Sequence, residues 1–421
     1  MSIPEYGWYG DDFTGATDTL AELSCRGMRA MLFLDHPDAE RLERAGPLDA
    51  VGLAGASRTM APEAMAAELA PAGRFFRDLG VRLMHYKCCS TFDSAPEAGN
   101  IGAALRALQP YFPGPFRPII GGQPNLGRYT LFGNLFAAAG TGGTVHRIDR
   151  HPTMRAHPVT PMAEADLRLH LAAQGLDAVN LPYPGYELGE TALDAVLEAL
   201  LDGDPDAVLM DVSREADLLV IGRLLRARAG KDPVLAAGPS SVAQAWCAGR
   251  TVKTAPATLS PKSGPVLVLA GSLSPVTRRQ IEEATAYRRL SVDPASLTAG
   301  ATEGMATEAC RLLDAGEDVL IVTDAPATAP LPPGKAAEAT AALLARIMRQ
   351  RPVRRLGVAG GDTSSLAARA LDLWGFSYAG TIAPGVTLCH GHSDERRFDG
   401  LEVMLKGGQM GGSDLLARFR V

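Results

Sequence analysis

The sequence predicts an α/β protein made of two doubly wound, mostly parallel-sheet domains with a ligand cleft between them. Short, nearly continuous apolar runs alternate with segments whose apolar residues recur at helical spacing. Such alternation is typical of a parallel sheet covered on both faces. It pauses at the polar, proline-bearing stretch 250–265 and then restarts. The chain has 421 residues, and single cores stop growing at roughly 250–300 residues, so two domains are expected.

The predicted first domain covers 1–249, the linker 250–265 and the second domain 266–421. A first strand ends at Tyr9, and further strands of the first domain are predicted at 29–35, 49–56, 81–89, 117–122, 206–212 and 232–238. Strands of the second domain are predicted at 265–272, 290–294, 318–324, 355–361, 381–386 and 401–406. Its helices are predicted after Pro275, across 302–315 and 335–350, and after Ser364.

Composition narrows the classes of function. Apolar residues make up 46% and charged residues 21%, which is ordinary for a folded globular protein. The net charge of −6 argues against a nucleic-acid partner, which usually meets a basic face. No apolar run has the length of a membrane span, and the first residues lack a secretory signal, so we expect a cytoplasmic protein. Six scattered cysteines do not suggest a disulfide scaffold.

The first candidate site is the stretch GDDFTGATDT, residues 10–19, which follows the first strand. Ligands bind at the carboxyl edge of such sheets, and carboxylates accept strong hydrogen bonds from sugar hydroxyls. We therefore assign Asp11 and Asp12 to substrate hydroxyls and Thr14, with the helix N–H groups, to an anionic group. The alternative is helix capping, which needs only one oxygen. We expect the helix to begin within 14–17, with Thr17 and Asp18 as ordinary starting residues.

The second candidate site is the loop 86–102, YKCCSTFDSAPEAGNIG, which also follows an apolar strand. Lys87 can pair with a carboxylate or phosphate as a point charge. Ser90, Thr91 and Asp93 lie in the same loop. The alternative interpretation is a solvated loop with a glycine turn.

A third cluster, residues 121–134, contains Arg128 as its only cation, and we add Arg128 to the substrate-binding candidates. Downstream, His146, His151 and His157 have spacings that do not fit a zinc site. We interpret that segment as a proline-broken loop that packs over substrate or reaches another subunit. His390 and His392 likewise lack a spacing typical of metal ligands, and we predict no protein-built metal site.

Three glycine-bearing turns of the second domain follow predicted strands, at 270–277, 359–365 and 406–414. Glycine lets a phosphate approach the main chain closely, and two of the turns also open helices, whose N-termini favour anions. There is no G-x-x-x-x-G-K-[ST] loop, and no G-x-G-x-x-G follows the first strand. The pattern predicts a nucleotide or phosphate site of an uncommon kind.

These motifs together resemble one family, the four-carbon acid sugar kinases, long labelled only as a domain of unknown function. The resemblance rests on DDFTGATDT, KCCSTFDSAPEAGNIG, HPVTPM, AGSLS, AGGDTSS and LKGGQMGG, which occur in order along nearly the whole chain. It implies an N-terminal acid-sugar domain and a C-terminal nucleotide domain. It further implies ATP-dependent phosphorylation of the 4-hydroxyl of 3-oxo-tetronate, D-threonate or D-erythronate.

The resemblance also implies roles for particular residues. Substrate contacts of the family fall on Asp11, Asp12, Thr14, Gly15, Arg58, Lys87, Ser90, Thr91 and Asp93. Its nucleotide contacts fall on Ser272, Ser274, Gly360, Gly361, Asp362, Thr363, Gly408, Gln409, Met410 and Gly411. The wording KCCSTFDS resembles the 3-oxo-tetronate kinases, whereas GGQPNLGRYTLFGN and TLCHGHSDERRFDGLEVML depart from that subgroup.

The expected mechanism is phosphoryl transfer by positioning and charge neutralisation. Arg58 and Lys87 would hold the substrate carboxylate, either Asp12 or Asp93 would be the general base, and the glycine turns would hold ATP with Mg²⁺ between its phosphates. We predict an acid sugar and ATP as ligands, no nucleic-acid or membrane partner, and a homodimer. The alternatives are a non-catalytic acid-sugar sensor regulated by nucleotide, and a phosphatase or lyase on the same sheets.

Overall fold

The computed structural model describes residues 3–140, 142–157, 159–251, 264–271, 274–297, 302–323 and 334–420, with Asp362 described by its backbone. The chain divides into two compact units, Met1–Lys253 and Thr254–Val421. Residues 252–263 of the predicted linker lie outside the described residues. Both units are α/β with mostly parallel sheets, which confirms the predicted class.

The first unit contains strands and helices in alternation. Its strands are β1 (Tyr6–Gly10), β2 (Ala30–Phe33), β3 (Ala50–Ala54), β4 (Leu83–Lys87), β5 (Pro118–Ile120), β6 (Arg128–Leu131), β7 (Asn134–Ala138), β8 (Val145–Arg147), β9 (Ala178–Leu181), β10 (Ala207–Met210) and β11 (Val234–Gly238). Its helices are α1 (Phe13–Cys25), α2 (Ala39–Ala45), α3 (Pro62–Leu79), α4 (Ile101–Leu108), α5 (Leu167–Ala172), α6 (Glu190–Leu201), α7 (Asp217–Ala229) and α8 (Ser241–Trp246).

The main sheet of this unit is parallel, in the order β2-β3-β1-β4-β11-β5-β10-β9. The central strands are buried along their whole length, which is why they read as continuous apolar runs. Tyr6 and Trp8 of β1 and Tyr86 of β4 are among the largest fully buried side chains. The first strand of the chain is therefore central in its sheet.

A small antiparallel sheet, in the order β6-β7-β8, was not predicted from the sequence. It follows the turn at Gly127, whose φ of 71° lies in the left-handed region that favours glycine. Its strands are only partly buried, so they lack the continuous apolar pattern of the main sheet. The consequence for the site is that Arg128 lies at the start of a strand.

The second unit contains a mixed sheet. Its strands are β12 (Val266–Ala270), β13 (Arg288–Val292), β14 (Val319–Thr323), β15 (Arg355–Ala359), β16 (Leu373–Ala383), β17 (Val386–Ser393) and β18 (Leu401–Lys406). Its helices are α9 (Pro275–Glu283), α10 (Pro294–Ser296), α11 (Thr302–Asp314), α12 (Lys335–Gln350), α13 (Gly361–Ala370) and α14 (Leu415–Arg420). The order is β13-β14-β12-β15-β18-β17-β16, parallel from β13 to β18 and antiparallel for the last two pairs.

One predicted strand of this unit has the wrong bounds. The stretch 381–386 contains the last three residues of β16, the turn at Pro384 and Gly385, and the first residue of β17; Gly385 has a φ of 70°. The helix predicted to begin after Ser364 begins earlier, at Gly361. No helix of the described part of the chain has both the length and the apolar character needed to cross a membrane.

Candidate active site

The candidate substrate site lies at the carboxyl edge of the first unit's sheet, where β1, β3, β4 and β11 end side by side. Gly10 is paired with both Ala54 and Lys87, and Lys87 is paired with Gly238. The loops that follow these strands therefore emerge together, as expected for a parallel sheet. A Cβ on Gly10 would lie 2.5 Å from the Cβ of Ala16, so only glycine lets the chain turn directly into α1.

Two adjacent aspartates share one arginine at this edge. Arg58 donates from Nε and Nη2 to the two carboxylate oxygens of Asp11, at 3.0 and 2.7 Å. Its Nη1 donates to Oδ2 of Asp12 at 2.7 Å. The paired geometry to Asp11 is the bidentate fork that a guanidinium makes best. These contacts fix both carboxylates relative to the sheet.

Asp12 is also the N-cap of α1, which corrects the predicted helix start. Its Oδ1 accepts the Gly15 N–H at 2.7 Å and its Oδ2 accepts the Thr14 hydroxyl at 3.0 Å. Thr17 and Asp18 therefore do not begin the helix, and Thr17 bonds back to the Thr14 carbonyl within it. The alternatives weighed for the aspartate pair coexist, because Asp12 caps the helix while facing the same arginine as Asp11.

Burial and neighbouring charges move the two carboxyl pKa values in opposite directions. Burial raises the pKa of Asp11, and the attraction of Arg58 only partly offsets it. Burial also opposes ionisation of Asp12, but Arg58, Lys87 and the Gly15 N–H together outweigh it, so the pKa of Asp12 is lowered. Asp12 is consequently ionised over the physiological range and is a weak base.

Lys87, the last residue of β4, lies beside Asp12. Its side chain is buried, and its Nζ donates to the Cys88 carbonyl at 2.8 Å. A Cβ on Gly15 would lie 2.6 Å from this Nζ and 2.4 Å from Oδ1 of Asp12. Gly15 is therefore required for the approach of α1 to the lysine, and the ammonium keeps donors for a further anion.

The loop after β4 carries a second acidic group. Phe92 adopts a positive φ of 53°, an uncommon conformation for a bulky residue. The Thr91 hydroxyl donates to Oδ1 of Asp93 at 2.7 Å, and the Cys89 sulfur lies 3.0 Å from that hydroxyl. Asp93 is buried, and Ser90 is half-buried at the same turn. Burial, reinforced by Asp93, raises the pKa of Cys89 to about 11, so the thiol is neutral.

Both loops act on the same arginine. Burial alone would lower the pKa of Arg58, but the negative groups around it raise the pKa well above the ordinary value. Those groups are Asp11 and Asp12 from the first loop and Asp93 from the second. The structure thus brings these predicted site residues together around one cation.

Arg128 completes the cluster from the antiparallel sheet. Its Nη1 donates to the Leu126 carbonyl, and its buried Nε has no partner among the described atoms. Burial lowers the pKa of Arg128, the Asp18 carboxylate opposes this change, and the neutral Cys89 thiol lies near the same guanidinium. Asp18 in turn accepts a hydrogen bond from Nε2 of Gln123 at 3.1 Å. Arg128 therefore lies close to both α1 and the loop after β4.

Sequence reasoning missed three residues of this cluster, namely Asp18, Gln123 and Cys89. Asp18 had been interpreted as a helix start, although it lies four residues after Thr14 and so shares a helix face with it. That spacing was the signal that could have identified it. Cys89 had been counted only among the six scattered cysteines, and Gln123 carried no signal in the sequence.

The second unit contains a cavity of about 330 Å³ at the carboxyl ends of its parallel strands, a size typical of small-molecule sites. It is lined by Gly271, Thr323, Gly334, Ala336, Ala337, Thr340, Gly360, Gly361, Thr363 and Gly408. Four of these, Gly360, Gly361, Thr363 and Gly408, are predicted nucleotide contacts. Gly334, with φ 82° at the start of α12, is a glycine turn that sequence reasoning missed.

The remaining predicted nucleotide contacts surround this cavity or fall outside the description. Ser274 is the N-cap of α9 and donates to the Gly408 carbonyl. Gln409, Met410 and Gly411 continue the turn after Gly408 without lining the cavity. Ser272 and the side chain of Asp362 lie outside the described residues.

The histidine segment of the first unit makes local contacts. Nδ1 of His151 accepts the N–H groups of Thr153 and Met154, and Nδ1 of His157 accepts that of Thr160. Across the described ranges, no group of three or more His, Cys, Asp or Glu side chains is arranged to hold a metal ion.

Comparison with known proteins agrees with this two-part arrangement. A family model described as a sugar-binding N-terminal domain matches residues 6–246, and one described as a nucleotide-binding C-terminal domain matches 267–416. The 3-oxo-isoapionate kinase of Paraburkholderia graminis is 37% identical, over 98% of this chain and 93% of its own. The 3-oxo-tetronate kinase of Methylobacterium radiotolerans is 34% identical, over 98% and 97%. The crystal structure of Haemophilus influenzae protein HI1011 shares the fold, with 23% identity, a TM-score of 0.73 and 98% of each chain covered.

Fold and site thus define a protein that pairs a sugar-binding unit with a nucleotide-binding unit. The chain belongs to the four-carbon acid sugar kinase family. By homology it is an ATP-dependent acid-sugar kinase, as the sequence resemblance implied.

Proposed function

We propose that this enzyme transfers the γ-phosphoryl group of ATP to the 4-hydroxyl of a 3-oxo four-carbon acid sugar. The cluster of two aspartates, Arg58, Lys87 and Arg128 at one sheet edge carries the proposal, because it combines hydroxyl acceptors with cations for a carboxylate. Relatives acting on 3-oxo-isoapionate and on 3-oxo-tetronate support the 3-oxo class. D-Threonate and D-erythronate remain the alternative acceptors.

The geometry suggests a division of roles among the cations. Arg58 already donates three hydrogen bonds to Asp11 and Asp12, so we assign it to holding those carboxylates in place. Lys87 and Arg128, which keep unused donors, would bind the substrate carboxylate. This assignment changes the expectation that Arg58 itself binds the carboxylate.

Asp93 is the better candidate for the general base. Asp12 accepts hydrogen bonds from Gly15, Thr14 and Arg58, and its lowered pKa makes it a poor proton acceptor. The described hydrogen bonds of Asp93 come from two neutral groups, the Thr91 hydroxyl and the Cys89 thiol. We propose that Asp93 accepts the proton of the 4-hydroxyl, while Asp11 and Asp12 orient the remaining hydroxyls.

Nucleotide would bind in the cavity of the second unit, where glycines leave the main chain open to phosphates. The described residues provide no cluster for a metal ion. We therefore propose that Mg²⁺ is held by the phosphates of ATP and by water, as is common for this ion. The glycine turns and helix N-termini would supply neutral donors around the phosphate oxygens.

An ADP-release screen tests the proposal. Purified protein is mixed with Mg·ATP and each of 3-oxo-tetronate, 3-oxo-isoapionate, D-threonate and D-erythronate, and the phosphorylated product is located by ³¹P NMR. We expect turnover with a 3-oxo acid and phosphate on its 4-oxygen. Tight binding of an acid without turnover of any would instead favour the sensor alternative.

A further inference from the structure

A fully buried lysine lies beneath the glycine turn of the second unit. Lys406 ends β18 with 0% of its side chain exposed. Its Nζ donates to Oγ1 of Thr277 at 2.8 Å, and that hydroxyl donates to the Gly408 carbonyl at 2.9 Å. A buried ammonium is costly unless its charge serves a partner. Here the described hydrogen bond of the ammonium goes to a neutral hydroxyl.

Helix α9 holds the same turn by other side chains. Ser274 donates to the Gly408 carbonyl. Nε2 of Gln280 donates to the carbonyls of residues 410–412, at 3.0, 3.1 and 2.9 Å. Ser274, Thr277 and Gln280 are spaced three residues apart and so lie along one face of the helix. The carbonyl groups of the turn are therefore held against α9.

The direction of the carbonyls fixes the direction of the amides. In a planar trans peptide the C=O and N–H groups point to opposite sides. With the Gly408 carbonyl held by Thr277 and Ser274, the N–H of Gln409 points away from α9. Gly408 itself lines the cavity assigned to nucleotide. The turn is thus arranged to offer its amides to a ligand, provided that its carbonyls stay on the helix.

We propose that Lys406 is a positioning residue for the phosphates of the nucleotide. An ammonium has three donors and no acceptor, so it cannot accept the Thr277 hydrogen and instead directs it onto the Gly408 carbonyl. A neutral amine can accept that hydrogen, and the turn then loses one of its anchors. The charge of Lys406 also lies directly beneath a turn that would receive a polyanion. This inference rests on the nucleotide role that the proposed function gives to the turn.

The protonation state of Lys406 should govern nucleotide affinity. Burial lowers the pKa of Lys406 to about 8. It is packed against β15, β17, α9 and the start of α13. Apart from Asp362, whose side chain is not described, no charged or titratable residue of those elements contributes to this pKa. The charged and titratable residues of these elements are Arg355, Cys389, His390, His392, Arg278, Arg279, Glu282, Glu283 and Arg369.

The test is calorimetric titration of the full chain with Mg·ADP between pH 6.5 and 9.5. Because the folded pKa is about 8, Lys406 is protonated below pH 8 and the turn is anchored there. We expect the Kd of ADP to be flat below that pH and to rise several-fold above it. Lys406→Met should raise the Kd about tenfold at pH 7, as expected for one charge-assisted hydrogen bond, and remove the pH dependence.

Thr277 supplies the second pair of variants. Thr277→Val should weaken ADP binding like Lys406→Met, while Thr277→Ser, which keeps the hydroxyl, should bind like the parent. These two variants test the role of the Thr277 hydroxyl in ADP binding even if Lys406→Met does not fold. Parental ADP binding by Thr277→Val at every pH would overturn the inference. So would an alkaline weakening that is abolished by Asp362→Asn and kept by Lys406→Met. Because no acid sugar is present, failure of the kinase proposal would leave these outcomes readable.

Discussion

Replacing Arg58 by glutamine removes the cation shared by two carboxylates. The side chains of Asp11 and Asp12 are 6% and 19% exposed, and that of Arg58 is 21% exposed. Removing one partner of a buried ion pair costs roughly 3–5 kcal/mol. Because Arg58 keeps some contact with water, we expect about 3 kcal/mol of lost unfolding free energy at pH 8, the lower end of that range.

The loss should depend on pH with a defined sign. Burial already raises the pKa of Asp11, and Arg58 is the largest influence that lowers it. Without Arg58 the folded-state pKa of Asp11 rises further above its unfolded value. A carboxyl group whose folded-state pKa is raised destabilises the folded protein as the pH rises toward that pKa, because the folded state then holds an unpaired negative charge. The deficit of the variant should therefore be smaller at pH 5 than at pH 8.

Urea unfolding followed by tryptophan fluorescence measures this loss. In a Trp374→Phe background the signal comes from Trp8 and Trp246, both in the first unit. Arg29→Gln is the matched control, since the Arg29–Asp49 pair is 53% and 31% exposed and should contribute much less to the free energy of unfolding. Equal losses for the two glutamine variants, or a deficit that grows toward pH 5, would refute the reasoning.

Three further predictions concern the substrate site. Gly15→Ala places a Cβ 2.4 Å from Oδ1 of Asp12 and 2.6 Å from Nζ of Lys87. The KM for the acid sugar should therefore rise at least tenfold, while ADP binding measured by calorimetry stays unchanged. Weakened ADP binding would contradict this prediction. Asp93→Asn should lower kcat by about 10²–10⁴ with little change in KM, as expected for a lost general base, and a kcat within threefold of the parent in steady-state assays would rule Asp93 out. The pKa of Cys89, raised to about 11 by burial, predicts iodoacetamide labelling that rises roughly tenfold per pH unit from pH 8 to 10, and peptide mass spectrometry showing fast, pH-independent labelling would oppose it.

Much of the fold could be predicted because buried parallel strands are nearly continuous apolar runs. The stretch 401–406 and the helix 335–350 match β18 and α12 residue for residue. The β16–β17 hairpin was missed because only two residues, Leu371 and Asp372, separate α13 from β16, which is too short a gap to mark a boundary in the sequence. The β6–β8 sheet was missed because its strands are only three to five residues long and partly buried, so none is a long continuous apolar run.

The sequence predicted which loops form the candidate site, but it did not predict which of their side chains form ion pairs. The strand-end positions of Asp11 and Lys87 follow from local pattern, since polar residues come directly after buried strands. Arg58 forms ion pairs with two aspartates that lie 46 and 47 residues away along the chain, and local sequence patterns do not predict such long-range contacts. The dual use of Asp12, as helix cap and ion-pair partner, is likewise a property of the assembled edge.

The placement of β4 between β1 and β11 has a consequence for how the enzyme is made. The Cys88 N–H, at the root of the loop that carries Asp93, donates to the Gly238 carbonyl at 3.0 Å. During synthesis the contacts of Arg58 with Asp11 and Asp12 can form once β3 and the residues around Arg58 have emerged. The loop after β4 gains its second flanking strand only some 150 residues later, so we expect its assembly to be a late step of folding. In a nascent chain that ends before β11, the loop that carries Asp93 would be supported on one side alone.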